Sequence, residues 1–296
     1  MADKIYAFSS SPHVKTPLTT RRIMIDVCIA LLPALVMGIV FFGFYALLLV
    51  VLAVAAAVLS EFLFDLIVGK KPAEFAKSFD FSSCVTGLLI GVSLGTNYPW
   101  YAPVLGSMFA IIPVKMLFGG TGKNVVNPAV AGRIFIFISF QAVVTSWLMP
   151  YVMPIASPIP PTTGATVLEN LIKTGNMDLS NWDLLLGTGV RGCLGETCKV
   201  ALIVGGIYLS VRRIINPFYP VIYIATEGLF AVILGGFNFS LFLPSILSGG
   251  LMLGAIFMAT DYTTTPNTTI GNVIYFIFLG LLTAGLRAAT KMEVVS

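Results

Sequence analysis

Residues 45–66 read YALLLVVLAVAAAVLSEFLFDL, an apolar run whose two charged residues, Glu61 and Asp65, come near its end. A helix needs about 20 mainly apolar residues to cross the hydrocarbon core of a bilayer. Residues 22–43, directly before it, form a second run of similar length. The two runs therefore predict transmembrane helices, and they set the fold class for the rest of the chain.

Composition extends this prediction to the whole chain, which is 57% hydrophobic and only 10% charged. Soluble domains carry about 25% charged residues, and one of this size could not bury so much apolar surface. The net charge of +4 comes from basic residues between the apolar runs. It therefore indicates no nucleic-acid partner, and membrane lipid is the expected surrounding. We predict an all-α integral membrane protein.

Nine apolar segments are predicted as spans, at 22–43, 45–66, 82–96, 101–118, 128–148, 198–216, 219–237, 242–260 and 270–289. The third is short, and we expect it to be tilted, broken or sheltered by neighbouring helices, because backbone polar groups cannot face lipid. The predicted regions are an N-terminal arm, a first membrane repeat, a loop and a second membrane repeat, at 1–21, 22–148, 149–196 and 197–296.

Lysine and arginine predict the orientation, because cytoplasmic segments of membrane proteins are enriched in them. With the N-terminus in the cytoplasm, 12 of the 17 basic residues fall on the cytoplasmic side. The loop 149–196 is then extracytoplasmic. The polar residues 1–20 and the length of the first apolar run argue against a cleavable signal peptide.

The two halves contain similar segments. Residues 87–98 read GLLIGVSLGTNY and residues 250–262 read GLMLGAIFMATDY, which align with one insertion. Five spans in each half would make the repeats inverted in the membrane, an arrangement that often places a binding site between the halves. The second half shows only four spans, so its fifth helix is either absent or has been cut away.

The loop between the halves contains the motif Thr163-Gly164-Ala165-Thr166, preceded by Pro160 and Pro161. The prolines prevent a helix on the N-terminal side. Gly164 and Ala165 leave the Thr166 hydroxyl accessible to a large group. A surface turn is the ordinary interpretation of such residues.

Polar turns on the predicted cytoplasmic side form a second candidate site. Asn127 precedes Pro128 and is a suitable helix N-cap, which leaves Asn124 free. Two carboxamides at the membrane edge can also bind a flat heterocycle, although capping is the ordinary interpretation. Asp261 ends an apolar span and is either an interfacial charge or a site residue. Both turns would meet at the interface between the repeats.

Acidic residues in or beside spans are candidates for ion movement. Asp26 can pair with Arg22, and Asp65 with Lys70 or Lys71. Glu227 has no basic residue close in sequence, so Glu227 and Asp261 are the predicted ion-path residues.

The positions of the cysteines and of the histidine argue against a metal site and against a hydrolase active site. Cys193 and Cys198 lack further ligands nearby in sequence, so no metal site is expected. With His13 as the sole histidine, in the N-terminal arm, no hydrolase triad is predicted either.

Several motifs together carry a family resemblance. They are Ser9-Ser10-Ser11-Pro12, Arg22-Ile23-Met24, Thr86-Gly87-Leu88-Leu89, Gly120-Thr121-Gly122-Lys123-Asn124, Asn127-Pro128-Ala129, Leu194-Gly195-Glu196-Thr197, Ala259-Thr260-Asp261 and Pro266. Along nearly its whole length the chain resembles the D subunits of Rnf complexes, which are ion-pumping ferredoxin:NAD oxidoreductases. It is also similar to the B subunits of sodium-pumping NADH:quinone reductases.

The resemblance implies FMN attached through a phosphoester to the last threonine of the Thr163-Gly164-Ala165-Thr166 motif. Where the family often has Asp-Gly ahead of this motif, the present chain has Pro160-Pro161. The resemblance also implies ten spans in two inverted repeats, a flavin transferase, and partner subunits with a second FMN and iron–sulfur clusters. A non-covalent riboflavin, as in the sodium-pumping relatives, would occupy the site of Asn124, Asn127 and Asp261.

The leading interpretation is an electron-transfer subunit of a redox-driven H⁺ or Na⁺ pump in a bacterial or archaeal plasma membrane. A second is an inverted-repeat channel or secondary transporter without flavin. A third is a structural membrane scaffold.

Overall fold

The computed structural model describes residues 19–144, 147–148, 163–164 and 180–295. The regular secondary structure in this part of the chain is helical apart from one antiparallel pair of two-residue strands, β1 (Trp147–Leu148) and β2 (Thr163–Gly164). The first half has helices α1 (Thr20–Phe42), α2 (Phe44–Ile67), α3 (Pro72–Ser78), α4 (Ser82–Val92), α5 (Tyr101–Met116), α6 (Pro128–Ser139) and α7 (Gln141–Val144).

The second half has helices α8 (Asn181–Leu186), α9 (Lys199–Val211), α10 (Phe218–Leu234), α11 (Phe239–Leu247), α12 (Leu251–Met258) and α13 (Thr269–Val295). Helices α5 and α12 end in π-helical segments, at Ala110–Met116 and Gly254–Met258. Both π segments lie close to the turns that were singled out as a candidate site.

Length and apolar composition identify α1, α2 and the Thr269–Ala289 part of α13 as helices able to cross a membrane alone. Two pairs, α3 with α4 and α11 with α12, are bent by 74° and 66°, and they raise the number to five if each pair is one span. Helices α5, α6, α9 and α10 are apolar but shorter. The many exposed Leu, Ile, Val and Phe side chains on these helices form the kind of surface that faces lipid.

Two predicted spans are wrong in part. The predicted span 128–148 is interrupted after Ser139, because Phe140 leaves the helical region with φ −122° and ψ 42°, and the short helix α7 follows. The predicted span 242–260 is broken at residues 248–250, where Ser248 is extended and Gly249 has φ 66°. Glycine adopts that left-handed conformation without steric cost, so the break is encoded locally.

The predicted third span, 82–96, is indeed short, and α4 ends at Val92. Its end is sheltered by the stretch that precedes α9. The Leu194 amide donates to the Leu94 carbonyl at 3.0 Å, and the Gly195 amide donates to the Val92 carbonyl at 2.8 Å. The last carbonyls of a helix lack intrahelical partners, so these bonds satisfy groups that could not face lipid.

Small residues let the helices approach closely, as in many membrane proteins. A Cβ atom on Gly87 of α4 would lie 2.6 Å from the Val54 Cα atom of α2. A Cβ atom on Gly205 of α9 would lie 2.2 Å from the Ala30 carbonyl oxygen of α1. The first contact packs the first half together, and the second joins the two halves.

Candidate functional site

A cleft lies between the halves, at the end of the bundle where α1 and α6 begin and where α9 and α12 end. The turn of residues 119–127 and the turn after α12 form its polar edge, and the side chains of Val27, Leu89 and Phe257 contribute apolar walls. The structure therefore brings Asn124, Asn127 and Asp261 to one cleft.

Asn127 caps α6, as the sequence predicts. Its Oδ1 atom accepts from the amides of Ala129 and Val130 at 2.9 and 3.4 Å. Its Nδ2 atom donates to the Met258 carbonyl at 3.2 Å, which ties the first half to the end of α12. Both polar atoms of this side chain already form hydrogen bonds within the protein. Asn127 therefore fixes the turn that borders the cleft and has little hydrogen-bonding capacity left for a ligand.

Asn124 differs from Asn127. Its Oδ1 atom is buried and has no hydrogen-bond partner among the described residues. An unpaired buried polar atom costs about 1–3 kcal/mol, so such an atom in a cleft wall points to a bound ligand or water. The capping interpretation assigns a role to Asn127 and none to Asn124, and Asn124 is the residue whose free oxygen fits a ligand.

Asp261 shapes the second polar edge. Its Oδ2 atom accepts from the Thr263 hydroxyl at 2.9 Å, and its Oδ1 atom accepts from the Thr263 amide at 3.3 Å. Beside it, the Tyr262 hydroxyl donates to the Ile214 carbonyl. Burial raises the pKa of the Tyr262 phenol above its ordinary value, so it remains a donor at neutral pH.

The cleft has a volume of about 100 Å³, or about 770 Å³ when the space that opens to solvent is counted. Ligand sites usually measure about 300–1,000 Å³. A neighbouring pocket of about 590 Å³ shares Ile214, Thr260 and Tyr262 with the cleft and contains Arg213. The hydrogen bond between Tyr262 and Ile214 lies at the boundary between the two pockets.

A buried ion pair borders the cleft. The Lys115 ammonium donates to Glu61 Oε1 at 2.8 Å and to Ser82 Oγ at 2.6 Å, and Ser82 Oγ lies 3.0 Å from Thr121 Oγ1. Lys115 and Arg213 were not foreseen at this site, since only Lys123 is close in sequence. Charges inside apolar runs are the signal that could have found Lys115.

The predicted ion-path residue Glu227 does not line the cleft. It is fully buried in α10 and forms an ion pair with Arg287 of α13. Ser245 donates to Glu227 Oε1 at 2.8 Å, and Oε2 has no partner among the described residues. Glu227 therefore has a cation after all, 60 residues away in sequence.

Pairing predicted from sequence neighbours succeeds for Asp65, whose carboxylate accepts from Lys70 at 2.8 Å. It is wrong for Asp26, which accepts from Arg212 at 3.0 and 3.1 Å and from the Tyr208 hydroxyl at 2.9 Å. The contact joins α1 to the end of α9, because these helices pack side by side. Asp26 therefore pairs with Arg212 of the neighbouring helix and not with Arg22 of its own helix.

The predicted flavin attachment site lies at the edge of the described part. Thr163 and Gly164 form strand β2, which pairs with β1. Ala165 and Thr166 lie outside the described residues.

Comparison with known proteins supplies the family. The model of the NQR2, RnfD, RnfE family matches residues 7–293. The D subunit of the Na(+)-translocating ferredoxin:NAD(+) oxidoreductase complex of Acetobacterium woodii is 41% identical, over 94% of this chain and 84% of the relative.

Two further relatives agree. The D subunit of the proton-translocating ferredoxin:NAD(+) oxidoreductase complex of Clostridium ljungdahlii is 35% identical over 96% of this chain and 86% of its own length. The D subunit of the ion-translocating oxidoreductase complex of Rhodobacter capsulatus is 33% identical over 92% and 83%. The resemblance seen in the motifs is confirmed, and the chain belongs to the NQR2, RnfD, RnfE family of membrane proteins.

Proposed function

We propose that this chain is the membrane electron-transfer subunit of a redox-driven H⁺ or Na⁺ pump of the ferredoxin:NAD oxidoreductase type, with FMN attached to Thr166. The observation that carries the proposal is the family match over residues 7–293, together with the Thr163-Gly164-Ala165-Thr166 motif. Relatives with Na⁺ and with H⁺ in their names are both close in identity. The ion that this chain serves is therefore left as either of the two.

A covalent attachment suits this role physically. FMN supplies the capacity to accept electrons from one partner and pass them to the next, while the protein positions it. The phosphoester keeps the ring within electron-tunnelling reach of neighbouring redox groups and prevents its loss to water. The partners that this implies are a second FMN subunit and iron–sulfur subunits, with a flavin transferase acting on Thr166 beforehand.

The attachment can be tested on the denatured polypeptide. The wild-type chain should fluoresce as a flavoprotein after washing and show the mass increment of one FMN. Thr166→Val removes the nucleophilic oxygen with little change of shape and should abolish both signals. Thr162→Val, in the same loop, is the matched control and should retain them. Covalent flavin on the Thr166→Val chain would refute the assignment.

The topology is part of the same proposal. We infer nine spans within this sequence, two inverted repeats and a cytoplasmic N-terminus, in a bacterial or archaeal plasma membrane. In support, contacts place basic residues at one end of the bundle: Arg21 stacks on Phe81 at the start of α4, and Arg212 reaches Asp26 of α1. Labelling a cysteine introduced in residues 149–196 only from the cytoplasmic side would overturn this orientation.

We also propose a second, non-covalent flavin in the cleft, with riboflavin as the leading candidate. The unpaired Asn124 Oδ1 atom, the apolar walls and the hydroxyl groups at the edge fit a flat heterocycle. The Lys115 charge is compensated by Glu61, whereas Arg213 in the neighbouring pocket could meet a phosphate. Mass analysis of the flavin extracted from the native complex therefore decides between riboflavin and FMN.

The competing function is a channel or secondary transporter without flavin, which the two bent helix pairs would also suit. It predicts a colourless polypeptide and ion flux without an electron donor. Yellow protein that moves ions only during electron transfer excludes it.

A further inference from the structure

The pocket beside the cleft lies between the turn that joins α9 to α10 and the turn that precedes α13. Its volume of about 590 Å³ is within the usual range of ligand sites. The hydrogen bond from the Tyr262 hydroxyl to the Ile214 carbonyl lies at its boundary with the cleft. Neither Asn124 nor Asp261 lines it, so this pocket is a separate candidate site.

Arg213 gives the pocket its charge. Among the described residues that line the pocket, it is the only charged one. Its neighbour Arg212 pairs with Asp26 of α1, whereas Arg213 is exposed and has no carboxylate partner in the described part of the chain. A guanidinium without a carboxylate is suited to an anion, and its planar set of donors matches a phosphate in particular.

The backbone at Arg213 is unusual for a residue with a side chain. Its φ of 57° lies in the left-handed region, which glycine enters freely and other residues rarely adopt. The Arg213 amide donates to the Ser210 carbonyl at 3.0 Å, and the Ile214 amide donates to the Leu209 carbonyl at 2.9 Å. These bonds form a Schellman motif, in which glycine is the usual residue. An arginine at this position therefore points to a use for its side chain.

Two helices begin at the same pocket. Asn216 and Pro217 directly precede α10, Asn267 precedes α13 by one residue, and all three line the pocket. The N-terminus of a helix carries a partial positive charge and free amides. Both helix starts therefore add to the positive potential of Arg213 and favour a negatively charged group in the pocket.

Asn272 adds a requirement that a phosphate alone does not meet. It lies in the first turn of α13 and lines the pocket, and its Oδ1 atom is buried without a hydrogen-bond partner among the described residues. A carboxamide oxygen only accepts hydrogen bonds, so it needs a donor. An ionised phosphodiester offers acceptors only. The ligand that fits both residues therefore carries hydroxyl groups beside its phosphate.

Apolar side chains lie next to the residues that line the pocket. Val211 at the end of α9, Phe218 at the start of α10, and Ile270 and Ile274 in the first turns of α13 are all exposed. On membrane helices such side chains form the surface that faces lipid. The anion-binding pocket is thus bordered by apolar surface, which is the combination that the headgroup and acyl chains of a phospholipid require.

We propose that this pocket binds the headgroup of an anionic phospholipid of the phosphatidylglycerol class. Arg213 and the two helix starts bind the phosphate, and Asn272 accepts a hydrogen bond from a headgroup hydroxyl. Basic pockets between membrane helices on the cytoplasmic side bind anionic lipid headgroups in other proteins. The assignment to the cytoplasmic leaflet rests on the proposed orientation of the chain, whereas the chemistry of the pocket does not.

The test is the thermal stability of the purified, delipidated complex in detergent. Palmitoyl-oleoyl phosphatidylglycerol should raise the wild-type Tm by a few degrees, the order expected for a bound ligand, relative to phosphatidylcholine with the same acyl chains. Arg213→Gln should lose most of this rise, because it removes the cation. Asn272→Asp should lose it as well, since it keeps the shape of the side chain but places a negative charge opposite the phosphate.

Arg22→Gln is the matched control. It removes the same charge from an exposed position at the same end of the bundle, and Arg22 does not line the pocket. This variant should keep the rise. A rise that Arg213→Gln keeps, or that Arg22→Gln loses to the same extent, would overturn the proposal. The absence of any phosphatidylglycerol effect on the wild type would overturn it without reference to the variants.

Two further measurements separate the lipid from other sources of phosphate. The same rise with inorganic phosphate in place of phosphatidylglycerol would assign the pocket to a soluble anion. Loss of extractable flavin from the Arg213→Gln complex would assign Arg213 to the second flavin. Either result would overturn the lipid site, whereas unchanged flavin content and no response to inorganic phosphate support it.

This readout is independent of covalent flavin and of electron transfer. A wild-type chain without FMN on Thr166 would refute the proposed function, while the response to phosphatidylglycerol could still be measured. Conversely, a flavinylated complex that does not respond to the lipid would leave the electron-transfer role intact and remove the lipid site alone.

Discussion

The two halves of the molecule each bury a lysine beside a helix break, and the two lysines are held differently. Lys115, beside the α3–α4 break, meets the Glu61 carboxylate at 2.8 Å and the Ser82 hydroxyl. Lys199, beside the α11–α12 break, donates hydrogen bonds to carbonyl oxygens and to no carboxylate within the described residues. Both are fully buried. Burial alone therefore does not define the role of a charge. The charge of Lys115 is neutralised by Glu61 of the neighbouring helix α2, whereas Lys199 has its hydrogen bonds with backbone carbonyls.

The largest effect is expected at the paired lysine. Lys115→Met leaves Glu61 buried without its cation, and breaking a buried ion pair costs about 3–5 kcal/mol. We expect poor assembly and a strongly lowered unfolding midpoint in detergent. Adding Glu61→Gln should recover much of the loss, because no uncompensated charge remains. Equal stability of the single and double variants would mean that the pair is not the reason for the loss.

The next effect concerns the ion pair of the second half. Arg287→Met removes the cation of Glu227 and three donated hydrogen bonds, to Glu227, Ser245 and Ser248. Ser245 still donates to Glu227, and the Arg287 side chain is 17% exposed. We therefore expect a loss of about 2–4 kcal/mol, somewhat less than at Lys115, measured by the same unfolding midpoints.

Glu227→Gln tests whether this acid also moves ions. If it is an ion-path residue, the variant should assemble and transfer electrons while ion transport falls at least several-fold. Asp261→Asn is the companion variant in the cleft. Wild-type pumping in both would return the two acids to structural roles.

The sequence predicts the class of the fold, because apolar runs of membrane length need no tertiary information. It also predicts the cap at Asn127 and the Asp65–Lys70 pair, since both involve residues close together in sequence. It does not predict Glu227–Arg287 or Asp26–Arg212, whose members are 60 and 186 residues apart. The apolar run 242–260 predicts a continuous helix and hides the break at Gly249, although the Ser248-Gly249-Gly250 triplet is a local signal for it.

A smaller effect is expected at the cap of the first half. Asn127→Ala removes the acceptor of two amides at the start of α6 and the bond to Met258 of the second half. Loss of an asparagine cap costs about 0.5–2 kcal/mol. We expect a modestly lowered unfolding midpoint in this range. An unchanged midpoint would show that water replaces both the capping oxygen of Asn127 and its hydrogen bond to Met258.

The smallest effect on stability, and the most specific one, is expected at Asn124. Its Oδ1 atom has no partner in the described part of the chain, so Asn124→Ala breaks no hydrogen bond at that atom and should not lower the unfolding midpoint of the flavin-free protein. If Asn124 binds the second flavin, the purified variant should lose extractable riboflavin while retaining FMN on Thr166.

Asn127→Ala is the matched comparison, because it weakens the same turn without removing the Asn124 carboxamide. Equal loss of riboflavin from both variants would indicate damage to the turn. Absence of riboflavin from the unaltered complex would refute the proposed second flavin. Loss from Asn124→Ala alone would assign the carboxamide to the ligand, and would show that the two asparagines of one turn divide folding and binding between them.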